Sequence, residues 1–262
     1  MKIVVIGGSG LIGSRLSNIL RLRGHEVVAA SQASGVDLMS GQGLDAALEG
    51  AQVVVDVSNA PYTSDEAVME FFRTAGHNLL AAEERAGVAH HVLLSIIGTN
   101  RLQDSGYFRA KQAQEDLVIG TNRPYSIVQA TQFMEFLEAI AQSCVVGNEI
   151  HVPAADMQPM AAQDVATLLA DAALGKLSGF LEVAGPERMS MASAIQQVLR
   201  HKGDTRPVKP DPQARYFGMP LEVDTLVPTL PPASDRRRCK RGFRVRRHDE
   251  RASRQQECRR LV

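Results

Sequence analysis

Short apolar runs alternate along the chain with longer stretches whose apolar positions recur at helical spacing. Residues 1–6 form a β-branched run that predicts a buried parallel strand. Leu11, Ile12, Leu16, Ile19 and Leu20 then fall on one helical face, and Gly24 stands where a C-cap belongs. Residues 27–30 predict a second strand, 35–38 a short third, 43–48 a helical turn, and 53–57 a fourth strand running into Ser58-Asn59-Ala60-Pro61. Residues 65–86 are helical in pattern and Gly87 ends them; 92–97 predict a fifth strand. A helix over 105–119, capped by Asp104 or Ser105, leads to a sixth strand at 125–128. This alternation means βαβ units and a parallel sheet covered on both faces, for which right-handed crossovers favour the doubly wound arrangement.

Beyond Phe133 the pattern loosens. A strand is expected at 149–152, a helix at 163–173 starting near Asp164, a strand at 181–184 before Gly185-Pro186, and a helix at 190–199. No internal repeat is visible. Prolines accumulate after Lys202, and no amphipathic period continues past Pro228.

Composition changes the picture in one respect. Apolar residues at 44% and charged residues at 22% are ordinary for a globular chain of 262 residues. The zero net charge hides a split: residues 1–234 carry 17 Lys and Arg against 25 Asp and Glu, residues 235–262 carry 12 against 4. Residues 1–228 therefore read as one domain and 229–262 as a basic, disordered tail. The tail could face nucleic acid or an anionic surface, but it holds one aromatic, Phe243, and no recognisable module. The abrupt switch near Pro228 is also what a shifted reading frame would produce. No apolar run reaches membrane length and the N-terminus lacks a signal-peptide pattern, so a cytoplasmic location is expected. Three cysteines, Cys144, Cys239 and Cys258, make neither a metal spacing nor an even disulfide set. His90 and His91 would point to opposite faces of a strand, and no metal site is expected.

The N-terminal strand opens into GGSGLIG at residues 7–13, a G-x-x-G-x-x-G spacing between strand and amphipathic helix. Glycines permit a tight turn and close backbone approach, and a helix N-terminus presents free N–H groups to a diphosphate. Gly7, Gly10, Leu11, Ile12 and Gly13 are thus candidate dinucleotide ligands. A carboxylate about 20 residues on would favour NAD. The second strand instead ends Ala30-Ser31-Gln32, which leans toward NADP with Ser31 as a candidate contact, although no Arg or Lys stands nearby. Asp37 could reach the adenine or simply serve its own turn.

Tyr107 and Lys111 form Y-x-x-x-K, and positions four apart share a helix face. Ser95 should stand at the C-terminal end of the fifth strand, the edge where ligands bind in open α/β sheets. A free phenol has a pKa near ~10, and a neighbouring ammonium should lower it. Tyr107 could then exchange a proton with a carbonyl or alcohol, Ser95 could hydrogen-bond the same oxygen, and Lys111 could also reach a nicotinamide ribose. Phe133, Phe136 and Leu137 form an apolar cluster, expected in the core, with pocket lining as the alternative.

GGSGLIG, SNAP, LLSIIG, YFRAK, Asp164-Val165-Ala166 and Val183-Ala184-Gly185-Pro186 together resemble atypical short-chain dehydrogenase/reductases of the NmrA-like branch, over residues 1–228. The resemblance implies a Rossmann-type doubly wound sheet with a small C-terminal substrate-binding portion formed mainly from about 134–228. It implies that Ser58, Asn59 and Ala60 run beside the cofactor, and that Ser95, Tyr107 and Lys111 are the catalytic set. It also implies that residues 129–133 pass the nicotinamide and help shape the substrate pocket, with Gln129 standing where many relatives carry arginine.

The expected activity is NAD(P)-dependent hydride transfer to or from a small carbonyl, alcohol or quinone. The branch also contains cofactor-sensing regulators without turnover, which is the alternative reading. A nucleotide-sugar epimerase is a third, against which the short chain beyond the sixth strand argues.

Overall fold

The computed structural model describes residues 1–229 together with the backbone of the strand Arg244–Arg247. The order is β1 (Lys2–Ile6), α1 (Leu11–Leu22), β2 (Glu26–Ala30), α2 (Leu44–Leu48), β3 (Val53–Asp56), α3 (Asp65–Ala86), β4 (His90–Ile96), α4 (Gly106–Gly120) and β5 (Tyr125–Ala130). There follow α5 (Leu137–Ser143), β6 (Val145–Val146), β7 (Glu149–Val152), β8 (Asp156–Met157), α6 (Ala162–Ala173), β9 (Gly179–Ala184), β10 (Met189–Ser190), α7 (Met191–His201), β11 (Val208–Pro210) and β12 (Arg244–Arg247).

The main sheet runs β12-β9-β5-β4-β3-β1-β2. Six of its strands are mutually parallel and β12 pairs antiparallel with β9. After β2 the chain crosses β1 to enter β3 on its far side, so the strand order reverses beside β1 and opens a crevice at the strands' C-terminal ends. This is the Rossmann-type sheet that the alternating pattern predicts.

β1 lacks alternation because both its faces are covered. Ile3 and Val5 pack with Ile12, Leu16 and Leu20 of α1 and with Leu169 of α6. Val4 and Ile6 pack with Leu44 and Leu48 of α2 and Leu79 of α3. Each such fully buried Leu or Ile contributes about 1.5–3 kcal/mol. α3 follows its sequence signals closely: Ser64 accepts the Ala67 N–H, Asp65 and Glu66 occupy the first turn, and Gly87 closes the helix in the left-handed region.

The strand expected at 35–38 does not form. Residues Gln32–Ser34 make a single 3-10 turn, and Gly35, Gly41 and Gly43 all take positive φ, so the chain turns repeatedly instead of extending. Val36 is buried there as a core plug, which explains the apolar signal. The fourth, fifth and sixth expected strands are therefore β3, β4 and β5. The C-cap expected at Gly24 falls on Arg23, with Gly24 taking the left-handed position just after it.

A second apolar cluster joins Leu137 and Ile140 of α5, Ile150 of β7, Met191 and Ile195 of α7, and Tyr216 to Phe108 of α4. This smaller C-terminal portion packs over the crevice end of the sheet. α5, β6, β8, β10 and β11 lie outside the sequence expectations, being too short to show a period. In the tail read as disordered over 229–262, Arg244–Arg247 pairs with β9, and residues 230–243 and 248–262 lie outside the described residues. Among the described residues no helix is long and apolar enough to cross a membrane.

Candidate functional site

The first wall of the crevice is the glycine loop. Gly7 takes φ +77°, and the amides of Gly7 and Gly8 both donate to the Ala30 carbonyl at 3.0 Å, which folds the loop back on β2. A Cβ on Gly13 would lie 2.2 Å from the Gly7 carbonyl oxygen, so the first turn of α1 can seat against the loop only with glycine there. Gly10 is the N-cap residue; no side chain caps the helix and no acidic residue occupies its first turn. The first-turn amides have no intrahelical acceptor. Leu11, Ile12 and Gly13 line the crevice, with Gly7 and Gly10 beside them. The result is a concave wall of N–H donors at the positive end of a helix, suited to a diphosphate.

The second wall is the segment after β3. Asp56, buried, accepts the Ser58 N–H at 2.8 Å on one oxygen and the Gln114 amide at 2.8 Å on the other. It thereby holds Ser58 and Asn59 on the crevice. Sequence reasoning missed Asp56, whose only signal is an acid at the end of an apolar strand. Ala60 does not line the crevice; it packs behind it with Val68 and Phe72.

α4 supplies the third wall. Its N-terminus meets that of α3, where Arg109 pairs with Asp65 at 2.8 Å. A Cβ on Gly106 would lie 2.1 Å from Asp65, so the two helix starts approach this closely only through glycine. Ser105 is the N-cap residue, without a capping side-chain bond. Tyr107, seated edge-on against Phe72 and Phe108, points its hydroxyl into the crevice and donates to Asn59 Oδ1 at 3.0 Å.

Tyr107, Lys111 and Ser95 all line this crevice, but their polar groups are not coupled as expected. Lys111 is 4% exposed. Its ammonium donates to the Leu94 carbonyl at 3.0 Å and to Gln114 Oε1 at 2.5 Å, above the Phe72 ring. Burial lowers its pKa to about 8, against the opposing pull of Asp56 and Glu115. Burial also pushes the Tyr107 phenol up to about 12, a rise only partly offset by the Asn59 hydrogen bond. The expected lowering of the phenol by Lys111 is thus corrected: ammonium and phenol turn to different partners, and lost hydration drives each toward its neutral form. Ser95 donates to Glu115 rather than facing Tyr107, and Gln129, opposite Ser95 in the sheet, donates to the same carboxyl oxygen at 2.9 Å. Burial raises the pKa of Glu115, which favours a protonated acid.

The two candidates at the adenosine end do not join the crevice. The Ser31 N–H donates to Ser34 Oγ at 2.9 Å in a reciprocal turn. Asp37 accepts the Met39 N–H at 2.8 Å and the Ser40 hydroxyl at 3.0 Å, and these bonds hold its pKa below the usual carboxylate value. Its carboxylate serves its own turn.

The crevice widens to a cleft of about 940 Å³ whose far end is aromatic, with Phe133, Phe136, Tyr216 and Phe217 on its walls. Phe133 and Phe136 pack on each other at 5.8 Å and face this space, which is the pocket-lining alternative, while Leu137 takes the core role. Tyr216 had no sequence signal, because a loop in a proline-rich stretch carries no period. His90 and His91 do point to opposite faces, contacting Ser126 and Glu83 respectively, and neither lines the cleft. Among the described residues no group of three or more His, Cys, Asp or Glu is placed to hold a metal ion.

A protein family described as NAD(P)H-binding matches residues 7–174. The chain is similar to the photosystem II assembly factor Ycf39 of Synechocystis, 26% identical over 151 residues, which span 52% of this chain and 46% of that protein. The match covers less than half of that relative's length. Among solved structures, a UDP-glucose 4-epimerase of Thermus thermophilus in complex with NAD aligns with TM-score 0.63 and 18% identity, over 86% of this chain and 92% of that one. A dTDP-4-dehydrorhamnose reductase of Bacillus anthracis in complex with NADP aligns with TM-score 0.64 and 15% identity, over 80% and 83%. At these identities the structural likeness is one of fold.

Proposed function

Because this chain belongs to the NAD(P)H-binding family, we propose that it is an oxidoreductase of the NmrA-like branch that exchanges a hydride between a nicotinamide dinucleotide, preferentially NADP, and a small carbonyl, alcohol or quinone. The observation that carries this reading is the placement of the Tyr107 hydroxyl on the same cleft as the bare amides of Leu11, Ile12 and Gly13. The residues fit the cofactor: a glycine cradle closed to any side chain, a helix N-terminus without a competing acid, and Ser58 and Asn59 along the adjoining wall. A bound nicotinamide would supply or accept the hydride.

The chain's own part is proton chemistry. With its pKa raised to about 12, Tyr107 keeps its proton at neutral pH but is a weak acid in the nucleotide-free cleft, so donation requires that its pKa fall when cofactor and substrate are bound. A substrate oxygen taking the place of Asn59 would receive that proton as the carbonyl carbon is reduced, and solvent would reprotonate the phenolate. Gln114 and Leu94 hold Lys111 behind the tyrosine. The lean toward NADP comes from the end of β2, where Ala30 and the following Ser31 bring no carboxylate to repel a 2′-phosphate. The proposal includes a cytoplasmic location.

A cofactor-sensing regulator without turnover is the second reading, favoured by the commitment of Ser95 to Glu115 and of Lys111 to Leu94 and Gln114. Titration with NADPH and NADH, followed by turnover on a carbonyl and quinone panel, separates the two. An enzyme should lose about 10²–10⁴-fold in rate in Tyr107→Phe while keeping nucleotide affinity. Tight binding with no turnover on any substrate supports the sensor, and absence of affinity for both nucleotides overturns both readings.

A further inference from the structure

Glu115 is a buried acid that the proposed chemistry leaves unused. It stands on α4 one turn after Lys111 and is 1% exposed. Its Oε1 accepts from two neutral donors, the Ser95 hydroxyl near the C-terminal end of β4 and the Gln129 amide of β5, the latter at 2.9 Å. Lys111 does not pair with it, because that ammonium is committed to Leu94 and Gln114.

The charges around it are few. Lys111 draws Glu115 toward the carboxylate, and Asp116 beside it on α4 opposes this. From β3, Asp56 is occupied by Ser58 and Gln114. The His91–Glu83 pair, which joins β4 to α3, lies four residues back along the strand from Ser95. Burial outweighs the pull of Lys111 and of the two hydrogen bonds and leaves the pKa raised. Glu115 therefore changes charge nearer to neutrality than an exposed glutamate does.

Ser95 is the member of this cluster that lines the cleft beside Tyr107. A serine has one O–H to give. An ionised Glu115 holds that O–H by a charge-assisted bond, roughly twice as strong as a neutral one, and leaves the cleft only the serine's lone pairs. A protonated Glu115 accepts weakly and can itself donate to Ser95 Oγ, which frees the serine O–H for the cleft. The bond between Ser95 and Glu115 is then one of two states of the site.

We propose that Glu115 is a positioning residue whose protonation turns the Ser95 hydroxyl from the sheet to the cleft, where it donates to the substrate oxygen that Tyr107 protonates. The substrate part of this inference rests on the oxidoreductase reading; the exchange between Glu115 and Ser95 does not. Reduction should be fastest below the Glu115 pKa and fall as pH rises through it, as the serine is drawn back to the carboxylate.

Infrared titration of the nucleotide-free protein follows the acid directly. The carbonyl band of a protonated carboxyl, present in wild type and missing in Glu115→Gln, should vanish as pH rises. Ser95→Ala should move that loss to higher pH, because donation from the serine favours the carboxylate. Reduction of menadione by NADPH reads the consequence. The ratio of the Glu115→Gln rate to the wild-type rate should climb about tenfold across the same pH interval, since a neutral amide cannot hold the serine by charge. Ser95→Ala should lose about tenfold at the low-pH end, the worth of one good hydrogen bond. A ratio that stays constant with pH, or a Glu115 titration indifferent to Ser95, would overturn the proposal. If wild type neither binds NADPH nor reduces menadione, the oxidoreductase reading is what fails, and the infrared arm alone decides whether Glu115 and Ser95 are coupled.

Discussion

Lys111 Nζ donates to the Leu94 carbonyl at 3.0 Å, turned into the sheet and away from the Tyr107 hydroxyl four residues before it. With its pKa near 8 in the folded chain and 10.5 as the ordinary value, the unfolded chain binds a proton between these values that the folded one has released. Stability of the nucleotide-free protein should therefore rise with pH across that window. Lys111→Met removes the titrating group, so the slope measured by urea unfolding should flatten. An unchanged slope in the variant would show that the ammonium is hydrated.

Gly13 sets the nucleotide wall. Gly13→Ala puts a methyl 2.2 Å from a backbone oxygen and should cost about 1–3 kcal/mol while abolishing nucleotide binding. Gly24→Ala is the control: φ is +83° and nothing lies within 4 Å, so only backbone strain of about 1–2 kcal/mol is expected, with binding intact. Thermal melts and NADPH fluorescence distinguish the two.

His91 donates to or accepts from Glu83 at 2.7 Å in the core, and its other ring nitrogen has no partner among the described residues. Burial pulls its pKa down, but the Glu83 charge and hydrogen bond outweigh this and leave it raised above 6.5. The pair's stabilisation is then fully present below that value and lost as pH rises through the folded pKa. Wild type should exceed His91→Gln by about 1–3 kcal/mol at pH near ~6, narrowing by pH ~9. A gap that widens with pH would contradict the pairing.

Local features of the chain announced the parallel sheet, the glycine loop, the capped α3 and the one-faced placement of Tyr107 and Lys111, because each follows from neighbours in sequence. The short strand expected at 35–38 failed for the same reason: Val36 is apolar as strand residues are, yet glycines with positive φ turn the chain around it. Gln132 lay in a stretch expected to pass the nicotinamide and shape the substrate pocket, but its pairing with Tyr216, distant in sequence, could not be read from the residues around it.

Sequence alone determined the doubly wound topology and the loop that faces a diphosphate, since period, glycine spacing and crossover handedness act over short range. Only the folded molecule decided where the polar atoms point: Ser95 to Glu115, Lys111 to Leu94, Asp37 to its own turn, and Tyr216 to the cleft. Those choices depend on which distant segments shut out water, and burial then shifts the protonation of the groups they enclose.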